Sequence, residues 1–121
     1  MKNLFIMHTQ YNLILSEAVM SRDPDAENTL VLFSEFTLGE ALRQRLGETF
    51  DRVYVVRDAF WASGSALEEV RHIRRCLKKV KALRGQHFDN VYMSQERIFD
   101  MVLWAWVQKK NPNARCANIE E

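Results

Sequence analysis

The chain has 121 residues, 47% hydrophobic and 27% charged, with four glycines and two prolines. That balance excludes a disordered or fibrous chain, and the length fits one compact domain spanning residues 1–121, with about two thirds of its surface buried on folding. Seventeen Lys and Arg against sixteen Asp and Glu leave a net charge of +1, so no overall field drives the molecule onto nucleic acid or an anionic bilayer, and any such partner needs a local patch.

Along the chain, short apolar β-rich runs alternate with longer helical periods, and no Pro/Ser/Gly-rich linker separates them. Asn3-Leu-Phe-Ile-Met7 is a continuous apolar run suited to a strand buried on both faces. Tyr11 to Met20 follows as a helix, with Leu13, Ile14 and Ala18 at helical offsets. Asp23-Pro24-Asp25 breaks the chain, Thr29 to Phe33 forms a second strand, and Gly39 to Leu46 a short helix with Gly47 placed to cap it. Arg52 to Val56 makes a third strand. Ser65 to Leu83 reads as one long helix, its Leu67, Val70, Ile73, Leu77 and Val80 recurring at three and four residues and Gly85 closing it. Asn90 to Met93 is a fourth strand, Arg97 to Lys110 a fourth helix ending at Asn111-Pro112, and Arg115 to Ile119 a fifth strand. Single helices between strands imply parallel pairing. The expected fold is α/β: a Rossmann-like three-layer domain with a parallel five-stranded sheet.

Open parallel sheets bind ligands beyond the carboxyl ends of their strands, which directs attention to the loops following each strand. These are polar: His8-Thr9-Gln10, Ser34-Glu35-Phe36-Thr37, Arg57 to Ser65, Ser94-Gln95-Glu96-Arg97, and Glu120-Glu121. The first opens a helix, where free backbone N–H groups and the dipole favour an anionic or hydroxyl-rich ligand. The alternative is that Thr9 or Gln10 only caps the helix while His8 hydrogen-bonds locally. The third carries Phe60 and Trp61, able to stack on a sugar or base, and Ser63 and Ser65, able to hold polar groups or to cap the next helix. No GxGxxG, GxxxxGK[ST] or GxSxG occurs, so dinucleotide, P-loop and α/β-hydrolase sites are not expected. The three histidines and two cysteines show no ligand spacing, and no metal is expected.

Other features are read through composition. Cys76 and Cys116 lack a CxxC spacing and read as small buried hydrophobes of a reducing compartment. Met1 to Met7 is too short for a signal h-region or a membrane span, which points to a cytoplasmic protein, at most peripheral on the inner membrane. The third helix carries acids Glu68 and Glu69 before bases Arg71, Arg74, Arg75, Lys78, Lys79, Lys81 and Arg84. That order suits the macrodipole and leaves open either a solvated face or a surface for phosphate, anionic glycan or membrane headgroups. Binding of this helix to nucleic acid is the weakest reading. Trp104 and Trp106 lie in a helix apolar almost all round, which implies burial or a face for another domain.

Taken together, Leu4-Phe-Ile-Met-His8-Thr9-Gln10-Tyr11-Asn12-Leu13, the basic third helix, Asn90-Val-Tyr-Met-Ser94 and Asn118-Ile-Glu120-Glu121 resemble the N-terminal half of bacterial sialyltransferases. The lipooligosaccharide sialyltransferases and capsular polysialyltransferases are the families in question. The resemblance implies the N-terminal half of a GT-B fold, which holds the glycan acceptor, while a C-terminal domain absent from this chain holds the donor substrate CMP-sialic acid. It implies no other cofactor. It places the family's paired acids on Glu120 and Glu121, one of them the general base on the acceptor hydroxyl, although the glycine that follows the pair in the family lies beyond this chain. The family's His-Pro motif has no counterpart here, so the chain alone is expected to be inactive. From the loops after the strands and the helix that the first of them opens, His8, Thr9, Gln10, Asn12, Ser34, Glu35, Trp61, Ser63, Ser94 and Gln95 are the substrate-binding candidates. The expected partners are the acceptor, a missing C-terminal domain or a homo-oligomer partner, and an anionic membrane surface through the basic helix. A stand-alone Rossmann-like binding or regulatory domain without catalysis is the alternative.

Overall fold

The computed structural model of the chain describes residues 1–34, 37–57, 66–94 and 97–119. Its elements follow in the order β1 (Lys2–Met7), α1 (Gln10–Met20), β2 (Glu27–Ser34), α2 (Glu40–Thr49), β3 (Arg52–Arg57), α3 (Ala66–Lys78), a 3₁₀ turn (Lys81–Gly85), β4 (Asn90–Met93), α4 (Ile98–Lys110) and β5 (Arg115–Asn118). The five strands form one sheet in the order β3-β2-β1-β4-β5, every pair parallel. The domain is therefore α/β with a Rossmann-like parallel sheet.

Strand periodicity sorts the core into two layers. Leu4 and Ile6 of β1, Val31 and Phe33 of β2, Val56 of β3 and Val91 and Met93 of β4 join Cys76, Val80, Leu83, Phe99, Leu103 and Val107 on the α3/α4 side. The alternate residues, Phe5, Met7, Leu30 and Leu32, pack with Leu13, Leu46 and Phe50 on the α1/α2 side. Being covered on both faces, β1 and β2 are buried at almost every position, which is why they appear in the sequence as unbroken apolar runs. The edge strand β5 pairs in the sheet with β4 alone among the described strands, and all four of its residues are exposed.

At the amino end of the sheet, asparagines that face one another in register form a ladder. Asn3 Nδ2 donates to Asn28 Oδ1 at 3.1 Å, and Asn90 Nδ2 donates to Asn3 Oδ1 at 2.9 Å. Two aspartates fasten the same end. Asp51, just before β3, accepts from the Asn28 N–H at 2.7 Å, and Asp89, just before β4, accepts from the Lys2 N–H at 2.9 Å. Each satisfies a strand-terminal N–H that would otherwise depend on water.

Three expectations need correction. Gly47 does not cap α2: the helix runs on to Thr49, because the buried Phe50 at its C-cap draws one more turn onto the α1/α2 core and offsets the ~1 kcal/mol cost of an interior glycine. The long helix stops at Lys78 and tightens into a 3₁₀ turn, which delivers both Val80 and Leu83 to the core. Cys116 is exposed on β5, whereas Cys76 is buried. Trp104 and Trp106 are half-buried against the α3/α4 core, with the Arg84 guanidinium 5.6 Å from the centre of the Trp106 ring. The large apolar side chains that α4 exposes are Ile98 and Met101.

Candidate functional site

In this strand order β1 and β4 lie side by side at the centre of the sheet. The chain leaves β1 for the α1/α2 layer and β4 for the α3/α4 layer, so a crevice opens where the two directions part. Helix α1 begins there with Thr9 as its N-cap, in extended conformation (φ −128°, ψ 162°), joined to Asn12 in a reciprocal capping box. The Asn12 N–H donates to Thr9 Oγ1 at 3.2 Å, and Asn12 Oδ1 accepts from the Thr9 N–H at 3.3 Å. The same oxygen accepts from the His8 N–H at 3.3 Å and from the Ser94 hydroxyl at 2.8 Å, across 82 residues of sequence. One fully buried carbonyl thus ties together the end of β1, the start of α1 and the end of β4.

Behind this hub lies a buried acid-base pair. His8 follows β1 with the same parity as Leu4 and Ile6, so its ring turns to the α4 side. There it stacks on Phe33, with centroids 5.6 Å apart, and Phe33 stacks on Phe99 at 4.6 Å. His8 Nε2 lies 2.6 Å from Asp100 Oδ1, and the two side chains are 1% and 0% exposed. Asp100 sits in the first turn of α4, where the helix dipole favours its charge. Even so, burial pushes its carboxyl above the ordinary carboxylate range, against the opposing pull of His8 and Arg97. His8 Nδ1 and Asp100 Oδ2 are buried without a hydrogen-bond partner among the described residues. Such orphaned atoms are uncommon in protein interiors and concentrate at functional sites.

Of the ten substrate-binding candidates, His8, Thr9, Asn12 and Ser94 converge on this crevice. Gln10 is exposed and lines a separate groove of about 330 Å³ between α1 and α2, beside the 2.9 Å Arg45–Glu17 ion pair. Ser34 is buried at the end of β2, paired in register with Arg57. Glu35, Trp61, Ser63, Gln95 and the acids Glu120 and Glu121 lie outside the described residues. Asp100 was not among the candidates. Its signal was a carboxylate in the first turn of an otherwise apolar helix, together with the parity of His8. Among the described residues no group of three His, Cys, Asp or Glu is placed to hold a metal ion, and no helix is long and apolar enough to cross a membrane.

Chemically, the half-buried Thr9 and Ser94 hydroxyls flank a helix N-terminus, a set suited to hydroxyl-rich ligands, backed by the buried Asn12 amide and by a pair able to share a proton. No family model matches the chain, and no curated protein matches it in sequence. In fold it is similar to the C-terminal domain of a hydrogenase from Pyrococcus furiosus, known in two crystal structures. One has a TM-score of 0.62 at 15% identity over 98% of this chain and 89% of that one. The other has 0.59 at 18% identity over 97% and 89%. At that identity the likeness concerns the fold.

Proposed function

We propose that this chain is the acceptor-side domain of a sialyltransferase-like glycosyltransferase, which transfers sialic acid from CMP-sialic acid to a bacterial surface glycan. One observation carries the proposal. Segments far apart in sequence that bear the resemblance meet at the carboxyl end of the sheet: His8-Thr9-Gln10-Tyr11-Asn12 and Ser94 through the Asn12–Ser94 hydrogen bond, and Asn118-Ile119 through the Ile119 N–H, which donates to the Met93 carbonyl at 2.9 Å.

In this reading the Thr9 and Ser94 hydroxyls orient the acceptor sugar, and the buried Asn12 amide holds them in place. Glu121 or Glu120 then takes the proton from the acceptor hydroxyl as it attacks the anomeric carbon of the activated sialic acid. CMP departs with its phosphate, and the groups that stabilise the departing charge belong to a donor-side domain. The buried His8–Asp100 pair holds the strand end from which the acceptor contacts project.

The test has two parts. Titrating a sialylated oligosaccharide into the ¹⁵N-labelled domain should shift the amides of Thr9, Asn12 and Ser94, and Ser94→Ala should weaken the binding. In a protein that includes a donor-side domain, Glu120→Gln or Glu121→Gln should abolish transfer while leaving acceptor binding intact. Binding with transfer unaffected by either change would replace the transferase reading with that of a binding module.

A further inference from the structure

The charge of this molecule is segregated. Residues 71–84 hold seven cations, Arg71, Arg74, Arg75, Lys78, Lys79, Lys81 and Arg84, and no acid; with +7 in this stretch and +1 for the whole chain, the remaining residues carry −6. A macrodipole accounts for bases near the end of α3. It does not account for a base contributed to the same place by another element.

Such a base is present. Among the described residues, a groove of about 610 Å³ on the flank of α3 is lined by Arg57, His72, Arg75, Cys76, Lys78 and Lys79, none of them a carboxylate. Arg57 comes from the end of β3, and its Nη1 donates to Thr37 Oγ1 at 3.2 Å. His72 is half-buried, with its Nε2 3.6 Å from Cys76 Sγ and its ring edge-on to Phe99 at 6.2 Å. Arg57, Arg75, Lys78 and Lys79 form no ion pair with a carboxylate among the described residues. Crowded cations without counter-charge raise the energy of the folded state unless an anion joins them.

We infer that this groove is a binding site for a ligand bearing linked phosphate groups. Its size is that of an ordinary small-ligand site. Two guanidinium forks match phosphate oxygens in pairs, and two ammonium groups add point charges. A carboxylate brings a single negative charge to four cations, whereas a diphosphate brings several. The ligand is either a soluble diphosphate ester or the headgroup of a phosphorylated lipid. The inference is independent of the transferase reading, because its test reads binding and not transfer.

Inorganic pyrophosphate is titrated calorimetrically into the wild-type chain, and phosphatidylcholine vesicles containing cardiolipin, whose headgroup links two phosphates, are tested in parallel by co-sedimentation. Three double variants are compared: Arg75→Glu with Lys79→Glu, the milder Arg75→Gln with Lys79→Gln, and Lys109→Glu with Lys110→Glu as a control on the end of α4. Far-UV circular dichroism confirms folding. Loss of two of four coordinating cations should weaken binding at least about tenfold in both groove variants, against less than about twofold in the control. Pyrophosphate binding with that pattern identifies a soluble ligand, and vesicle binding alone with that pattern identifies a lipid headgroup. Binding of neither probe, or equal losses in groove and control variants, would overturn the inference.

Discussion

The two ends of the central strands bury polar side chains in different ways. At the amino end, Asn3, Asn28 and Asn90 pass hydrogen bonds from one amide to the next in strict register. At the carboxyl end, Asn12 Oδ1 gathers three donors, but the adjacent His8–Asp100 pair leaves one nitrogen and one oxygen unmatched among the described residues. A closed ladder serves pairing and register. An incomplete buried network costs stability, and it persists where structure is held ready for something else. The same sheet therefore has an end built for assembly and an end that retains unused hydrogen-bonding capacity, which is where a parallel sheet binds its ligand.

The largest test of this contrast is Asp100→Ala. It strands the buried His8 ring against Phe33, and should cost about 3–5 kcal/mol in urea denaturation, as removal of one partner of a buried pair does. Asp100→Asn, whose amide oxygen still accepts from an imidazole N–H, should recover much of that loss. Next comes Asn12→Ala, which deprives three donors of their acceptor and breaks the capping box, for about 2–3 kcal/mol. At the other end, Asn3→Ala opens the ladder at its middle rung for about 1–2 kcal/mol, because Asn90 remains within reach of water. Equal losses for Asn3→Ala and Asp100→Ala would remove the distinction between the two ends.

Acid titration separates the ends by sign. The Asp100 carboxyl is raised by burial, so the folded state holds its proton more tightly than the unfolded chain does. Its stabilising contribution is fully present below the unfolded value of 3.8 and is lost as pH rises through the folded pKa. Asp89, at the amino end, is lowered chiefly by the Lys2 N–H, so its contribution is present above 3.8 and is lost as pH falls through its folded pKa. Measured from pH 3 to pH 7, the stability of wild type relative to Asp100→Asn should fall as pH rises, and that relative to Asp89→Asn should rise. Parallel curves would refute the assignment.

Much of the fold was legible because β1 and β2 are covered on both faces, and burial on both faces leaves an unbroken apolar run that needs no tertiary knowledge to recognise. The errors fell where tertiary burial overrode local signals. Phe50 drew α2 past a glycine that reads locally as a stop, and Val80 and Leu83 drew the end of the long helix into a 3₁₀ turn. In the candidate site, His8, Thr9 and Asn12 were visible as a strand end opening a helix, and Ser94 as the end of another strand. Asp100 was hidden because its partner lies 92 residues away and no local pattern marks a contact between two central elements. Convergence at the crevice depended on strand order, since β1 meets β4 only in the folded sheet.

The smallest expected effect distinguishes recognition from scaffolding. Ser94 is half-buried and gives one hydrogen bond to an oxygen that keeps two backbone donors, so Ser94→Ala should cost only about 0.5–1 kcal/mol. Its hydroxyl nonetheless stands at the centre of the crevice, where a sugar hydroxyl could exchange hydrogen bonds with it. A scaffolding role predicts that oligosaccharide affinity follows that small loss of stability and no more. A recognition role predicts that affinity falls by about tenfold while the melting temperature barely moves, because a buried bond to ligand is lost without a protein bond to replace it. Asn3→Ala, at the opposite end of the sheet, supplies the control, since opening the ladder should reduce stability by about 1–2 kcal/mol while leaving the Thr9 and Ser94 hydroxyls in place. A variant that melts like wild type but has lost the ligand would assign Ser94 to the ligand, and with it the carboxyl end of the sheet to binding.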